Sequence, residues 1–388
     1  MTVSMPQLVI VSPALRDANN GNWQTAHRWQ RHLTGTYRVR IVRDWPDALA
    51  ADDAVMIALH ARRSAAAIAL WSSVHPQHGL AVVLTGTDLY HDILTDSQAR
   101  RSLALAQALI VLQERAPQAL PEAVRDKARV IFQSTTERRT LAKSRRYLRA
   151  VMVGHLRDEK SPQTLFAAAR LLADRPGIFI DHIGEPLDPA LGEEARATMT
   201  SVASYHWFGG LPHETVRRHI QRAHLLIHAS RMEGGAHVIM EAAASGTPVL
   251  ASAVAGNIGM LGTDYAGYFP CDDAEALAAL LLRCHEAVGA AGTDQAPGGN
   301  FLQQLGAQCR ERARLFTPTR ERAELRRLVD ELLAGERELD ERHRLLRVVH
   351  RRIDRVGVPS VGEPRLGLHG LDHDLHGDRA GEVPGPFT

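Results

Sequence analysis

The chain has 388 residues, 45% of them hydrophobic and 23% charged, so it is long enough for two domains and apolar enough for a full core. A net charge of +2 gives no broad attraction to nucleic acid or to an acidic membrane surface. Cys271, Cys284 and Cys309 are odd in number and form no C-x-x-C pair, which argues against a disulfide scaffold or a zinc site and favours a reducing compartment.

We expect no signal peptide in the N-terminal region. The run "QLVIV" is too short for the apolar part of a signal peptide, and no apolar run reaches the length of a membrane span. We therefore expect a soluble cytoplasmic protein whose partners are small molecules, with neither nucleic acid nor membrane among them.

Short apolar runs alternate with amphipathic stretches through residues 1–145, which predicts a parallel sheet with helices on both faces. The predicted strands are "QLVIV", "YRVRIV", "AVMIAL", "LAVVLTG", "ALIVL" and "ARVIF". The polar, basic segment "QSTTERRTLAKSRRY" then interrupts the alternation and is predicted to link two domains.

The alternation resumes over residues 146–316 and predicts a second doubly wound domain. Its strands are expected in "LRAVMVGHL", "GIFIDHIG", "SYHWFGG", "AHLLIHAS", "TPVLAS" and "AGYFP", and "GAAGTDQAPGGN" is typical of a surface loop. A charged helix follows, with one apolar face made by Leu325, Leu328, Leu332 and Leu333. Residues 355–388 have no apolar period and are predicted to form a disordered tail.

Ligands of two such domains are expected in the cleft between them, at the carboxyl ends of the strands. There the strand "HLLIHAS" is followed by Glu233 and, after seven further residues, by Glu241. The residues that open the predicted helix between them are Gly234, Gly235, Ala236 and His237. Free N–H groups at that point suit a diphosphate, and Glu241 can accept hydrogen bonds from a ribose diol. The alternative is a plain glycine turn followed by a solvated glutamate.

Polar residues also follow three strands of the first predicted sheet and outline a pocket for a small anionic acceptor. They are Gly21, Asn22 and Thr25 at the start of the first helix, Thr87 and Asp88 after "LAVVLTG", and Arg62 after "AVMIAL". Backbone N–H groups at a helix start can hold an anion. Each residue also has a simpler alternative, such as a turn for Asn22, a helix cap for Asp88 or a surface charge for Arg62.

Three segments resemble, in order and spacing, the second domain of retaining glycosyltransferases of the GT-B fold, the large family-four-like group. They are "VGHLRDEKSP", "WFGGLPHETV" and "SRMEGGAHVIMEAAASGTPVLASAVAGNIGML". The resemblance implies a nucleotide-sugar donor, with Glu241 on the ribose, Lys160 on the leaving phosphates and the small residues after Glu233 against the diphosphate and sugar. It also implies that Gly210 and Leu211 lie near the base, and that a crossover helix near residues 317–334 returns to the first domain.

The chain departs from that pattern at positions that carry charge or fill space beside the sugar. His155 stands where the group has an arginine, so Arg157 or Arg231 is expected to supply the second phosphate-binding cation. Gly235 and Ala236 stand in place of an aromatic residue and a glycine and leave more room near the sugar. A packed loop histidine and two surface arginines are the alternatives for the charged positions.

Nearly the whole chain is also similar to selenosugar synthases of selenoneine biosynthesis, through "PALRDANNGNWQTAHRW", "LTGTDLY", "SRMEGGAHVIMEA" and "GNIGMLG". That resemblance implies transfer of a hexose, N-acetylglucosamine or glucose, from a UDP-sugar to selenophosphate. Because no D-x-D motif stands in the predicted folded part, we expect no metal and no other cofactor. Lys160, Arg157 and His155 would then stabilise the leaving UDP while Glu233 orients the hexose.

Three other activities are compatible with the same motifs. One is an ordinary hexosyltransferase acting on a sugar or another small acceptor, and a second is an epimerase or hydrolase that releases UDP without an acceptor. The third is a sensor that binds the nucleotide sugar and turns nothing over. The sequence leaves the oligomeric state and the anomeric stereochemistry open.

Overall fold

The protein is described here by a computed structural model that covers residues 5–15, 21–290 and 301–335. The predicted tail (residues 355–388) and residues 291–300 of the predicted loop lie outside the described residues. The strands are β1 (Gln7–Val11), β2 (Arg38–Val42), β3 (Asp53–Leu59), β4 (Leu80–Leu84), β5 (Ala108–Val111), β6 (Ala128–Val130), β7 (Leu148–Val153), β8 (Ile178–Ile183), β9 (Tyr205–Trp207), β10 (Leu225–His228), β11 (Val249–Ser252) and β12 (Tyr268–Phe269). The helices are α1 (Gly21–Leu33), α2 (Ala65–Val74), α3 (Ile93–Thr95), α4 (Ser97–Leu105), α5 (Pro162–Leu171), α6 (Pro189–Ser201), α7 (His213–Arg222), α8 (His237–Ala243), α9 (Ala255–Leu261), α10 (Ala274–Ala290), α11 (Phe301–Ala313) and α12, formed by residues 318–335.

The first sheet has the strand order β2-β1-β3-β4-β5-β6, and every pair in it is parallel. All residues of β4 and β5 are buried, because helices cover both faces of the sheet. This burial explains why the strands are near-continuous aliphatic runs instead of alternating ones. The six strands predicted from the first half of the sequence are confirmed.

The second sheet has the order β12-β11-β10-β7-β8-β9 and is also parallel throughout. The chain enters it at β7, adds β8 and β9 on one side, and then crosses to β10 on the other side. The strand order therefore reverses between β7 and β10, and ligands of such sheets bind where the loops after those two strands diverge. The predicted fold class, two doubly wound parallel-sheet domains, is confirmed.

The last described helix, α12, packs on the first sheet although it follows the second one in the chain. Its buried face consists of Leu325, Leu328, Val329, Leu332 and Leu333. These side chains share one apolar cluster with α1 and with strands β1, β3, β4 and β5. This helix, which overlaps the predicted crossover segment, closes the core on one face of the first sheet.

Glu321 fixes α12 against α1 and against the irregular segment that joins the two sheets. Its carboxylate is almost fully buried, with 1% of the residue exposed. It accepts hydrogen bonds from Arg28 Nε (3.1 Å to each oxygen), Trp29 Nε1 (2.6 Å) and the N–H and Oγ of Ser134, and it lies 3.1 Å from His32 Nε2. Burial alone would raise the pKa of Glu321, but His32 and Arg28 outweigh it and lower the pKa to about 2.

Replacing Glu321 with glutamine is expected to lower the free energy of unfolding by about 3 kcal/mol at pH 7, because the amide cannot satisfy donors from four residues. The stabilisation by Glu321 is complete above its unfolded pKa near 4.5 and is lost as the pH falls through about 2. Urea unfolding at several pH values should therefore show the two proteins converging below pH 4.5. Glu331→Gln, which breaks a half-exposed pair with Arg129, is the matched control.

Candidate active site

Two loops meet where the second sheet reverses its strand order, and each contributes one charged side chain. Lys160 ends a short 3₁₀ turn (Asp158–Lys160) after β7, and Glu233 lies five residues beyond the end of β10. Lys160 Nζ donates a hydrogen bond to a carboxylate oxygen of Glu233. The structure thus brings together two of the residues that the sequence predicted as catalytic.

Glu233 has further partners at the base of this loop. Ser230 Oγ donates to the same oxygen over 2.9 Å, and His228 Nε2 lies 3.2 Å from it. Burial would raise the pKa of Glu233, but the charge of Lys160 and the contact with His228 hold it well below its usual range. Burial itself lowers the pKa of His228. Glu233 is therefore an ionised carboxylate and a weak base at neutral pH.

The glycine turn after Glu233 packs directly on the first domain. A Cβ atom on Gly234 would lie 2.4 Å from the backbone nitrogen of Gly86 and 2.5 Å from the carbonyl carbon of Thr85. A Cβ atom on Gly235 would come within 2.7 Å of the Leu112 side chain. Because Gly234 and Gly235 have no side chains, the loop can approach the residues that follow β4 and β5 this closely. The predicted cleft therefore has both domains in contact at its floor.

Tyr90 reaches the same region from the first domain. Its hydroxyl accepts a hydrogen bond from Gln113 Nε2 over 2.8 Å. Burial, and to a smaller extent the negative charge of Glu233, raises the pKa of Tyr90 to about 12. Tyr90 is thus a neutral hydroxyl close enough to Glu233 for that charge to affect it, and sequence reasoning missed it because an isolated tyrosine after "LTGTD" carries no pattern.

Glu241 lies in α8 and is buried, with 2% of the residue exposed. One oxygen is 2.6 Å from His213 Nε2, 3.3 Å from His237 Nδ1 and 3.9 Å from Arg217 Nη1. Burial would raise the pKa of Glu241, but His213 and His237 lower it to about 2. Because His213 is exposed, it can turn away, and the ionised, buried carboxylate of Glu241 can then accept hydrogen bonds from a polar ligand. His213 and Arg217 lie in "GLPHETVRRH", a segment in which the sequence pointed only to Gly210 and Leu211.

The two arginines predicted to bind phosphate, Arg231 and Arg157, differ in how tightly other side chains hold them. Arg231 Nε donates to both oxygens of Asp272 over 2.9 Å, and its Nη1 donates to Asp158, so it fixes the turn that carries Lys160. Arg157 is half-exposed and lies 3.8 Å from Glu159. A phosphate-binding role for either one stays a prediction.

The remaining predicted donor positions line the loop after β7 and the loop after β9. His155 Nδ1 accepts a hydrogen bond from the Glu185 N–H over 3.2 Å, and burial followed by the charge of Arg157 lowers its pKa. Gly210 packs against the Glu185 carboxylate so closely that an added Cβ would lie 2.0 Å from Oε1. Leu211 packs on the core of the second domain. Their contact with a donor is still a prediction.

The predicted acceptor residues divide into structural and accessible ones. Asp88 is fully buried and accepts hydrogen bonds from the Thr85 N–H (2.6 Å), the Thr85 Oγ1 (2.7 Å) and the Ala61 N–H (3.1 Å), which are the contacts of a structural cap. Arg62 is half-exposed and donates from Nε to Asp92 over 2.9 Å, and Thr87 is exposed. Substrate contacts by these three residues stay predictions.

The start of α1 carries the other three predicted acceptor residues. Gly21 and Asn22 form its first turn, and Thr25 Oγ1 donates to the Gly21 carbonyl over 2.8 Å while accepting from Gln133 Nε2 over 2.7 Å. Arg28 lies on the same face of the helix, since it follows Thr25 by three residues and Gly21 by seven. That periodicity in "GNWQTAHRW" was the available signal for Arg28, which sequence reasoning missed.

Within residues 5–15, 21–290 and 301–335, no three His, Cys, Asp or Glu side chains are grouped so that they could hold a metal ion. None of the helices in those ranges is both long enough and apolar enough to cross a bilayer. Metal-independent chemistry remains a prediction.

The chain is similar to known proteins in sequence and in fold. Residues 133–286 match the family model of glycosyl transferases group 1. The chain resembles the structure of sucrose-phosphate synthase from Thermosynechococcus elongatus, with a TM-score of 0.66 and 17% identity over 86% of this chain and 100% of that one. It also resembles Anabaena HepE in complex with UDP and glucose (TM-score 0.61, 13% identity, 84% of this chain and 99% of that one) and the pneumococcal O-GlcNAc transferase GtfA in complex with UDP and GlcNAc (0.54, 18%, 72% and 57%). The chain therefore has the GT-B fold of these glycosyltransferase structures, and its residues 133–286 match the glycosyl transferases group 1 model.

Proposed function

We propose that the protein transfers a hexose, N-acetylglucosamine or glucose, from a UDP-sugar to selenophosphate. The observation that carries this proposal is the state of Glu233, whose carboxylate is held by Lys160, Ser230 and His228 and is a weak base. A sugar hydroxyl needs its proton removed during transfer, whereas the selenium of selenophosphate is already anionic and nucleophilic. The sequence similarity to selenosugar synthases supports the same acceptor.

The donor side of the proposal follows from the loops around the second sheet. Glu241 would accept hydrogen bonds from the ribose, and the backbone N–H groups after Gly234 would face the diphosphate. Lys160 would neutralise the negative charge that develops on UDP as it leaves. The HepE structure, solved with UDP and glucose on the same fold, supports a UDP-hexose as donor.

The proposed step forms one bond and breaks one. A selenium lone pair of selenophosphate forms the bond to the anomeric carbon, and the bond from that carbon to the β-phosphate oxygen of UDP breaks with its electron pair left on UDP. The transition state has oxocarbenium character. In this proposal the Glu233 carboxylate would hold hexose hydroxyls and stabilise the positive charge. No proton has to be removed from the nucleophile.

A second candidate is transfer of the hexose to a hydroxyl of a sugar or another small acceptor. The match to the group 1 model and the fold shared with sucrose-phosphate synthase favour this activity. It would require that the incoming hydroxyl lose its proton to a group other than the weakly basic Glu233, such as an oxygen of the departing diphosphate.

UDP release from UDP-N-acetylglucosamine and UDP-glucose, measured with and without selenophosphate, is the test of the proposed function. We expect release that requires selenophosphate, together with a sugar product that shows the selenium isotope pattern in mass spectrometry. Release without selenophosphate would instead indicate a hydrolase or epimerase. Tight donor binding with no release would indicate another acceptor or a sensor.

A further inference from the structure

Arg28 of α1 crosses from the first domain to the start of α8 in the second. Its Nε donates to both oxygens of the buried Glu321 carboxylate over 3.1 Å, which fixes the plane of the guanidinium. Its Nη1 lies 3.4 Å from His237 Nε2, and His237 Nδ1 lies 3.3 Å from Glu241. With Nδ1 as the donor to Glu241, His237 Nε2 can accept the hydrogen bond from Arg28.

Among the described residues, the third nitrogen of this guanidinium, Nη2, has no acceptor. Nη2 of Arg28 is buried, and no residue in the described part of the chain accepts a hydrogen bond from it. Buried polar groups in folded proteins nearly always have a partner, so a buried N–H of fixed direction indicates a ligand that is bound there. The ligand must offer an oxygen lone pair, because Nη2 can only donate.

Position and charge narrow the chemistry of that ligand. Arg28 lies next to His237, the residue that follows the turn Gly234–Ala236, and on the same face of α1 as Gly21. The proposed substrates would bring phosphoryl groups to the turn before His237 and to the start of α1. Arg231 is committed to Asp272 and Asp158, so it has less capacity to bind phosphate than Arg28 has. A guanidinium edge is complementary to phosphoryl oxygens in charge and in geometry.

We infer that Arg28 binds a phosphoryl oxygen of a substrate through Nη2, and that Glu321 positions it for that contact. The inference rests on the proposed function in so far as it expects a phosphorylated substrate in the cleft. Two sources offer the same chemistry, the diphosphate of the donor and the phosphate of the acceptor. In either case α1 takes part in binding through a side chain as well as through its first N–H groups.

The test compares Arg28→Met and Arg28→Gln with the full-length parent and with Arg31→Met, which alters an exposed residue of the same helix. The glutamine variant keeps a donor for Glu321 and thereby guards against a loss of folding. Isothermal titration calorimetry would measure the affinities for uridine, for UDP, and for inorganic phosphate added to the UDP complex. Uridine lacks phosphate, so it reports any change in the nucleoside site alone.

If the donor diphosphate is the partner, both Arg28 variants should bind UDP roughly 10- to 100-fold more weakly, with unchanged affinity for uridine. If the acceptor is the partner, affinity for UDP should be unchanged and affinity for inorganic phosphate should fall by a similar factor. A folded Arg28→Gln protein that binds all three probes like the parent would overturn the inference. Because these probes require no turnover, the result is independent of whether selenophosphate proves to be the acceptor.

Discussion

Replacement of Lys160 by methionine is expected to lower kcat about 10²- to 10³-fold, the loss typical for one removed group that stabilises a developing anion. In the free protein Lys160 Nζ is bound to Glu233, at the point where the loops after β7 and β10 diverge. In the proposed reaction this ammonium would lie beside the leaving diphosphate as it gains negative charge. Because that charge is largest in the transition state, the effect should fall on kcat more than on the KM for the donor.

Steady-state UDP release together with single-turnover measurements would separate the chemical step from product release. Lys127→Met is the control, since Lys127 binds the carbonyls of Leu103 and Ala104 at the edge of the first domain. A Lys160→Met enzyme with the parent kcat and a raised donor KM would show that Lys160 only binds the donor. In that case the stabilisation of UDP must come from elsewhere.

Replacement of Glu241 by alanine is expected to raise the KM for the UDP-sugar roughly 10- to 100-fold with little change in kcat, because a charge-assisted bond to the ribose is lost in ground and transition state alike. The carboxylate is ionised and buried, so it is already prepared to accept hydroxyl donors. Glu214→Ala is the control, because it removes an exposed acid at the second residue of the neighbouring helix α7.

A donor that lacks one ribose hydroxyl makes this test specific. If Glu241 binds that hydroxyl, the parent enzyme should lose affinity for the 2′-deoxy or the 3′-deoxy donor, and the Glu241→Ala enzyme should treat that donor and the ribose donor nearly alike. Equal losses in both enzymes for both deoxy donors would assign Glu241 a structural role, such as holding His213 and Arg217.

The sequence predicted the two sheets well because buried parallel strands need long aliphatic runs, and such runs have few other uses. The position of Glu233 at the end of a strand came from the same kind of pattern, together with the rule about where ligands bind in doubly wound sheets. Lys160 was assigned to the site only through the resemblance to retaining glycosyltransferases, and its contact with Glu233 is known from the structure alone.

The contacts that were missed depend on residues far apart in the chain. Arg28 and Glu321 are separated by 293 positions, and each stands in an amphipathic helix where a charged residue is ordinary. The commitment of Arg231 to Asp272 was equally invisible, because 41 positions separate the two residues in the chain. A single sequence shows which side chains are charged, but the partner of a charge depends on how the two sheets and α12 pack.

The position of α12 in the chain has a consequence for folding during synthesis on the ribosome. The half of the chain that is made first cannot finish packing until residues 318–335 have emerged, because their leucines cover one face of its sheet. Until then that face of the sheet is exposed and can bind chaperones or other nascent chains. The N-terminal domain is therefore synthesised first, but it completes its core only after the C-terminal domain has been synthesised.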